Sequence, residues 1–319
     1  MSYPDEPALI LNQSAPLAIF AFNRPDHLCR TLQALAGCAE AATSRLTIYC
    51  DGARRESDNE RVAQVRLVAR AAAGFASVDV VERASNLGLA ASIIDGVTNQ
   101  LASEEQVIVL EDDIVVSPHF LRYMNDALEM YAHDEQVASI HGYVYPVAAP
   151  LPETFFLRGA DCWGWATWAR AWRHFRADGS ALLAELRSRR LTRTFDLNGT
   201  YPYTRMLEDQ IAGRNNSWAV RWHASCFLRG MLTLYPGQSL VVNIGNDDSG
   251  THSGQTSDYD VDLLDRPVDL RRIELVASRS ATDVIANFFR RQRGLLRRIA
   301  NRLRRSLPRP LSRIPGRPT

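Results

Sequence analysis

The first 140 residues alternate short apolar runs with longer segments whose apolar positions recur at helical spacing. Ala15 to Phe22 is an apolar run closed by Asn23, Arg24 and Pro25, and a helical segment follows to about Cys38. Arg45 to Cys50 is a second run, closed by Asp51 and Gly52, and helical spacing returns from Asp58 to Ala73. Ser77 to Val81 is a third, after which Asn86, Leu87 and Gly88 open a helix to about Leu101. Val107 to Leu110 is the fourth, and Ser117 with Pro118 reads as the cap and first turn of a helix to about His133. Short strands alternating with helices predict an α/β fold, a mostly parallel sheet with helices on both faces. Ligands of such sheets collect beyond the carboxyl ends of the strands. Asn23, Asp51, Asn86 and residues 111–113 all fall there.

The fourth run raises a question of charge. Glu111, Asp112 and Asp113 are consecutive and are followed at once by Ile114, Val115 and Val116. Alternation along a strand puts Glu111 and Asp113 on one side and Asp112 on the other. A solvated acidic turn is the bland reading, but the apolar residues that follow weaken it. Two acids converging at a strand end suit a hard cation, Mg²⁺ or Mn²⁺, whose remaining positions go to water and phosphate oxygens. Asp51 only accepts hydrogen bonds, so it suits an N–H on a base edge, and Arg24 suits a phosphate or a ribose.

Composition narrows the classes. With 319 residues, 46% of them hydrophobic, the chain can bury a full core. Its start, Met1 to Gln13, is acidic and contains prolines, unlike a secretory signal, and no apolar run approaches the roughly 20 residues of a membrane span. Five cysteines without a CxxC pair read as reduced, mostly buried thiols, hence a cytoplasmic protein. The net charge of +1 hides an asymmetry: residues 290–319 hold eleven arginines and no acid, leaving 26 basic against 36 acidic residues before them. An acidic body argues against nucleic acid as a substrate.

Taken together, Phe22 to Pro25, Asp51, Ser85 to Ala90 and Glu111-Asp112-Asp113 resemble the GT-A nucleotide-sugar glycosyltransferases, over roughly residues 16–255. The likeness is to bacterial family-2-type enzymes and to the N-acetylglucosaminyltransferase I group, which carries Glu-Asp-Asp in place of Asp-x-Asp. It implies transfer from a nucleotide-sugar donor, UDP-linked by preference, with Asp113 as the direct metal ligand. Glu111 and Asp112 would lie near the ribose and the metal-bound waters. Phe22, Asn23, Arg24 and Asp51 would form the nucleotide pocket, and the loop with Asn86 and Gly88 would close over it. Several members return a C-terminal histidine to the metal or diphosphate, which makes His252 a candidate.

The second half, residues 141–275 beside 15–140, would form the acceptor side. Trp163, Trp165, Trp168 and Trp172 fall within ten residues; the last three share a helical stripe and read as core. Trp163 stands outside the stripe, as core or as an aromatic wall against a sugar's C–H face. Glu208 and Asp209 are the adjacent acids of this region, and the family has a base-supplying acid at a comparable place, so Asp209, then Glu208, is the expected proton acceptor of an inverting transfer. Arg221, between Trp218 and Trp222, suits that acid, a phosphate or a cation–π contact. Residues 1–14 read as an extension and 276–319 as a basic amphipathic tail, with Phe288, Leu295, Leu296, Ile299, Leu303 and Leu307 at helical spacing. Such a helix lies on an anionic membrane surface, which suits a lipid-linked or other glycan acceptor of envelope synthesis at the inner face of the plasma membrane. A glycosyltransferase-fold binder without turnover and a nucleotidyltransferase are the competing readings; the latter lacks a glycine-rich basic loop after Phe20.

Overall fold

A computed structural model describes residues 14–247 and 257–306, with side chains as far as Gly294. In chain order the elements are β1 (Leu17–Ala21), α1 (Pro25–Ala36), β2 (Arg45–Cys50), α2 (Asn59–Arg70), β3 (Ser77–Glu82), α3 (Leu89–Gln100), β4 (Gln106–Glu111) and β5 (Ile114–Val116). There follow α4 (Phe120–Met130), β6 (Val137–His141), β7 (Thr154–Arg158), β8 (Trp165–Trp168), α5 (Ala169–Trp172), α6 (Gly179–Ser188) and α7 (Thr192–Phe195). The last are α8 (Tyr203–Ile211), α9 (Trp218–Leu228), β9 (Leu232–Pro236), β10 (Val241–Asn243) and α10 (Arg279–Ser306).

Eight strands form one sheet in the order β3-β2-β1-β4-β8-β6-β9-β7. Strands β1 to β4 run parallel, β8 runs against both β4 and β6, and β7 runs against β9. Six strands therefore share one direction. Period-two alternation sorts their side chains to two cores. Leu17, Ile19, Ile108 and Leu110 pack with Leu28, Val65, Phe120 and Met124 from α1, α2 and α4. Ala18, Phe20, Val107 and Val109 pack with Ile93 and Val97 of α3 and Trp218 and Trp222 of α9. Both faces are covered, as the apolar runs predict.

The tryptophan segment differs from expectation. Trp165 to Trp168 is a strand, so Trp165 and Trp168 enter opposite cores instead of one stripe. Trp165 stacks on Trp218 with centroids 5.3 Å apart. Strand pairing with β4 and β6 supplies hydrogen bonds that a helix period cannot read. The helix after Ser117 also starts late, at Phe120, because residues 114–116 first pair with β10.

The C-terminal helix belongs to the body for its first turns. Ala281, Ile285 and Phe289 are buried with Val144, Phe155 and Tyr235, so the expected tail boundary at 276 moves to the arginine-rich turns after Phe289. Among the described residues no helix is long and apolar enough to cross a membrane.

Candidate active site

Parallel strands deliver their carboxyl ends to one edge. Residues 22–24, Asp51, Glu111 and, at the end of β6, His141 all arrive there. Because β8 is reversed, its beginning also lies on this edge: Trp165 pairs with Val109 and with His141. The strap Asp161 to Gly164 is thereby laid beside residues 111–114. A Cβ at Gly164 would come within 3.5 Å of Ile114.

The acid triplet is arranged otherwise than strand alternation predicts. β4 ends at Glu111 and the chain turns at Asp112 and Asp113, so both aspartates reach one guanidinium. Arg24 pairs with Asp112 and, at 2.8 Å, with Asp113. Asp112 also accepts the Phe22 N–H at 3.3 Å, while its carbonyl accepts the Thr31 hydroxyl at 2.9 Å. Burial opposes the charge on Arg24, yet the two carboxylates together outweigh it and hold its pKa above the ordinary value. Burial, then repulsion from Asp113 and Asp112, pushes Glu111 up to about 8.

Asp113 has one oxygen to spare. Its Oδ2 faces Arg24, whereas Oδ1 is buried with no hydrogen-bond partner among the described residues. Such an orphan carboxylate oxygen is costly unless something fills its place. The loop after β10 crosses directly above: Ile244 N–H donates to the Asp113 carbonyl at 2.9 Å, and a Cβ at Gly245 would sit 2.1 Å from Oδ2. His252 lies outside the described residues. Among those described, no group of three or more His, Cys, Asp or Glu is arranged to hold a metal. One orphan carboxylate oxygen still fits Mg²⁺ or Mn²⁺, which take one or two protein carboxylates and complete their shell with water and phosphate.

Asp51 holds its own chain. Its Oδ1 accepts the N–H groups of Gly52 and Leu87, and its Oδ2 accepts Asn86 Nδ2 and the Gly88 N–H, each at 2.9 Å. These bonds make a brace that fixes the 85–88 loop. Asn86 also donates to the Gly52 carbonyl at 2.8 Å, and Gly88 enters α3 at φ 77°, a conformation glycine adopts without strain. A Cβ on Gly52 would meet the Ser85 carbonyl carbon at 2.4 Å, and backbone cannot step aside as a side chain can. Gly52→Ala is expected to cost about 1–3 kcal/mol of stability, read in urea unfolding. An unchanged midpoint would show that the loop tolerates displacement.

Two residues the sequence reading missed complete this wall. The Arg54 guanidinium lies 4.7 Å over the Phe22 ring, and buried Asp58 accepts from Asn23 Nδ2 at 3.4 Å. Neither stands at a strand end, the only positional signal in use.

The acids expected to act as base lie elsewhere. Asp209 is on α8, where Arg214 (2.7 Å) and Arg205 (3.1 Å) pair with it, and their hydrogen bonds keep its carboxyl below the ordinary range. Glu208 pairs with Arg187 of α6 at 2.7 Å. α8 packs against the helices α6 and α9 through Leu207, and arginine-held surface carboxylates make poor proton acceptors. Arg221 donates to the carbonyls of Ser217 and Ala177, which ties down the start of α9. Trp163 is half-buried, edge-on to Tyr143 at 4.8 Å and to Tyr259 at 6.0 Å.

Beside Asp161 lie two buried histidines. His141 has neither ring nitrogen hydrogen-bonded, and its Nε2 is 3.8 Å from Asp161 Oδ2. His223 Nδ1 meets the Ala160 N–H at 3.1 Å, and its Nε2 is unpartnered. Burial lowers both pKa values to about 4. An imidazole whose pKa is lower folded than unfolded stabilises the fold fully above about pH 6.5. That contribution is lost as the pH falls through 6.5 towards 4, at about 1.4 kcal/mol per unit for each histidine. Stability to urea is expected to drop steeply between pH 6.5 and 4.5; a flat profile would mean that protonated imidazoles are accommodated.

No family model matches the chain, and no curated protein matches it. Solved structures that match include a mannosyltransferase of Pyrobaculum calidifontis in complex with GDP-Man and Mn²⁺, at 15% identity over 41% of this chain and 35% of that one, with a TM-score of 0.32. A second is TarS of S. aureus, at 15% identity over 46% of this chain and 24% of that one, with a TM-score of 0.30. The chain thus spans about a third and a quarter of these two structures.

Proposed function

We propose that this chain is a glycosyltransferase of the GT-A type that binds a nucleotide-sugar donor across the carboxyl edge of its sheet and transfers the sugar to a hydroxyl acceptor. The observation that carries the reading is the orphan Oδ1 of Asp113, set among three acids and one arginine at the end of β4. Asp113 would hold Mn²⁺ or Mg²⁺, which when bound supplies charge neutralisation for the departing diphosphate. Arg24, at the same carboxylates, lies where it can share that diphosphate charge. The Asp51 brace keeps the 85–88 loop shaped for the nucleotide, with UDP the preferred carrier, and Phe22 under Arg54 offers a flat face. A single displacement with inversion is the transfer we favour, with a glycan or lipid-linked acceptor of envelope synthesis.

One observation favours a second reading. Arg24 already neutralises part of the acid cluster, so a donor could be bound without a cation, and without turnover. A melting screen of UDP-glucose, UDP-N-acetylglucosamine, UDP-galactose and GDP-mannose separates the two, run with Mn²⁺, with Mg²⁺ and with EDTA, alongside release of nucleoside diphosphate. Cation-dependent stabilisation with release supports the enzyme. Stabilisation that survives EDTA, without release, supports the binder. No stabilisation by any donor would end both.

A further inference from the structure

We propose that Asp161 is the proton acceptor of the transfer and that the tyrosine cluster beside it forms a wall of the acceptor site. The proposal rests on the donor reading above. Asp161 is on the sheet edge because β8 runs backwards, and it is only one residue from Cys162, which adjoins the acid triplet. The strap from Asp161 to Gly164 lies beside that triplet: Trp165 pairs with Val109 of β4, and a Cβ at Gly164 would come within 3.5 Å of Ile114. Asp161 thus stands on the same edge of the sheet as the acids that would hold the donor.

Its surroundings differ from those of Asp209. Asp161 Oδ1 accepts the Cys162 N–H at 2.9 Å, and Oδ2 accepts the Tyr145 hydroxyl at 3.3 Å. Among the described residues no arginine pairs with it, and its side chain keeps 22% of its surface open. Around it stand Tyr201 and Tyr203, their rings 4.5 Å apart, and Tyr203 lies 4.3 Å from His223. Phe289 of α10 closes the far side, 4.5 Å from Tyr201 and 4.8 Å from Tyr145. Fully buried His141 presents an unpartnered nitrogen towards the carboxylate. Aromatic faces, neutral hydroxyls and unfilled imidazole nitrogens are what a sugar's C–H faces and hydroxyls require.

The step balances. The acceptor oxygen forms the bond to the anomeric carbon while the carbon–oxygen bond to the diphosphate breaks, its electron pair leaving with the phosphate oxygen. The acceptor's O–H proton passes to Asp161 and from there to water once the products leave. With water as acceptor, the same step is donor hydrolysis.

Hydrolysis therefore supplies the test. The wild type, Asp161→Asn and Asp209→Asn are compared for affinity and nucleoside diphosphate release with the four donors named above and Mn²⁺. Asp161→Asn is expected to bind donor within about threefold of wild type and to release diphosphate about 10²–10⁴-fold more slowly, while Asp209→Asn stays near wild type. Formate is expected to restore part of the rate to Asp161→Gly, which a purely structural aspartate would not allow. Tyr145→Phe, which keeps the ring, is expected to slow release about 3- to 10-fold at unchanged affinity. Wild-type release by Asp161→Asn, or by Tyr145→Phe should the first variant not fold, overturns the assignment and leaves the donor reading standing. Loss of donor affinity in Asp161→Asn also overturns it. A wild type that binds no donor removes the donor reading, and this proposal with it.

Discussion

Asp113→Ala is expected to abolish cation-dependent donor binding while leaving the fold intact. The side chain contributes an ion pair with Arg24 at 2.8 Å and an orphan oxygen, and it packs little apolar area. Removing it relieves repulsion on Glu111 as well as weakening Arg24, so the net change in stability is expected to stay within about 1 kcal/mol. Donor affinity is another matter. A divalent cation that bridges a carboxylate to a diphosphate is worth several kcal/mol, so affinity with Mn²⁺ is expected to fall on the order of 10³-fold. The difference in melting temperature with donor, measured with Mn²⁺ and with EDTA, reads this directly. If wild type and variant respond alike, Asp113 holds no metal.

Two truncations are expected to behave oppositely. Deleting 290–319 removes the arginine-rich stretch and leaves Ala281, Ile285 and Phe289 in place. Melting and donor hydrolysis are expected to stay near wild type, while binding to anionic vesicles is lost, since each basic residue near such a surface adds about 1 kcal/mol. Deleting 279–319 opens the cluster around Phe155 and Tyr235. Truncating one buried phenylalanine alone costs about 3–5 kcal/mol, so this form is expected to unfold far earlier or not to accumulate. Equal vesicle binding by the full chain and the shorter deletion would remove the membrane role; a stable 279–319 deletion would remove the structural one.

Much of the framework was legible because it follows from local periodicity. The four parallel strands and the helices between them obey period two and period 3.6, and their ends locate Arg24, Asp51 and the acid triplet. What local pattern cannot carry is pairing at long range. That β8 is a reversed strand depends on edges offered by β4 and β6; without it Trp165 and Trp168 read as helix and nothing in the sequence singles out Asp161. Asp209 looked like a base because its acid neighbour Glu208 drew notice, while Arg205, one helical turn before it, and Arg214, five residues after it, went unweighed. Asp51 looked free for a ligand because three of its four donors come from residues 86–88, a different loop. A carboxylate's role is set by what folds against it.

The continuity of α10 has a thermodynamic consequence. A helix of 28 residues is a rod about 40 Å long, and its two ends cannot be oriented independently. Its first turns place Phe289 against Tyr145 and Tyr201, and its later turns carry the arginines. Seating of Phe289 and presentation of the basic turns are therefore two readouts of one equilibrium. An anionic surface that preferred the rod in its seated pose would stabilise the seating of Phe289 by the same free energy by which that seating would tighten the hold on the surface. Were both ends to bind, occupancy at one would be felt at the other without any change of fold, through the stiffness of a single element.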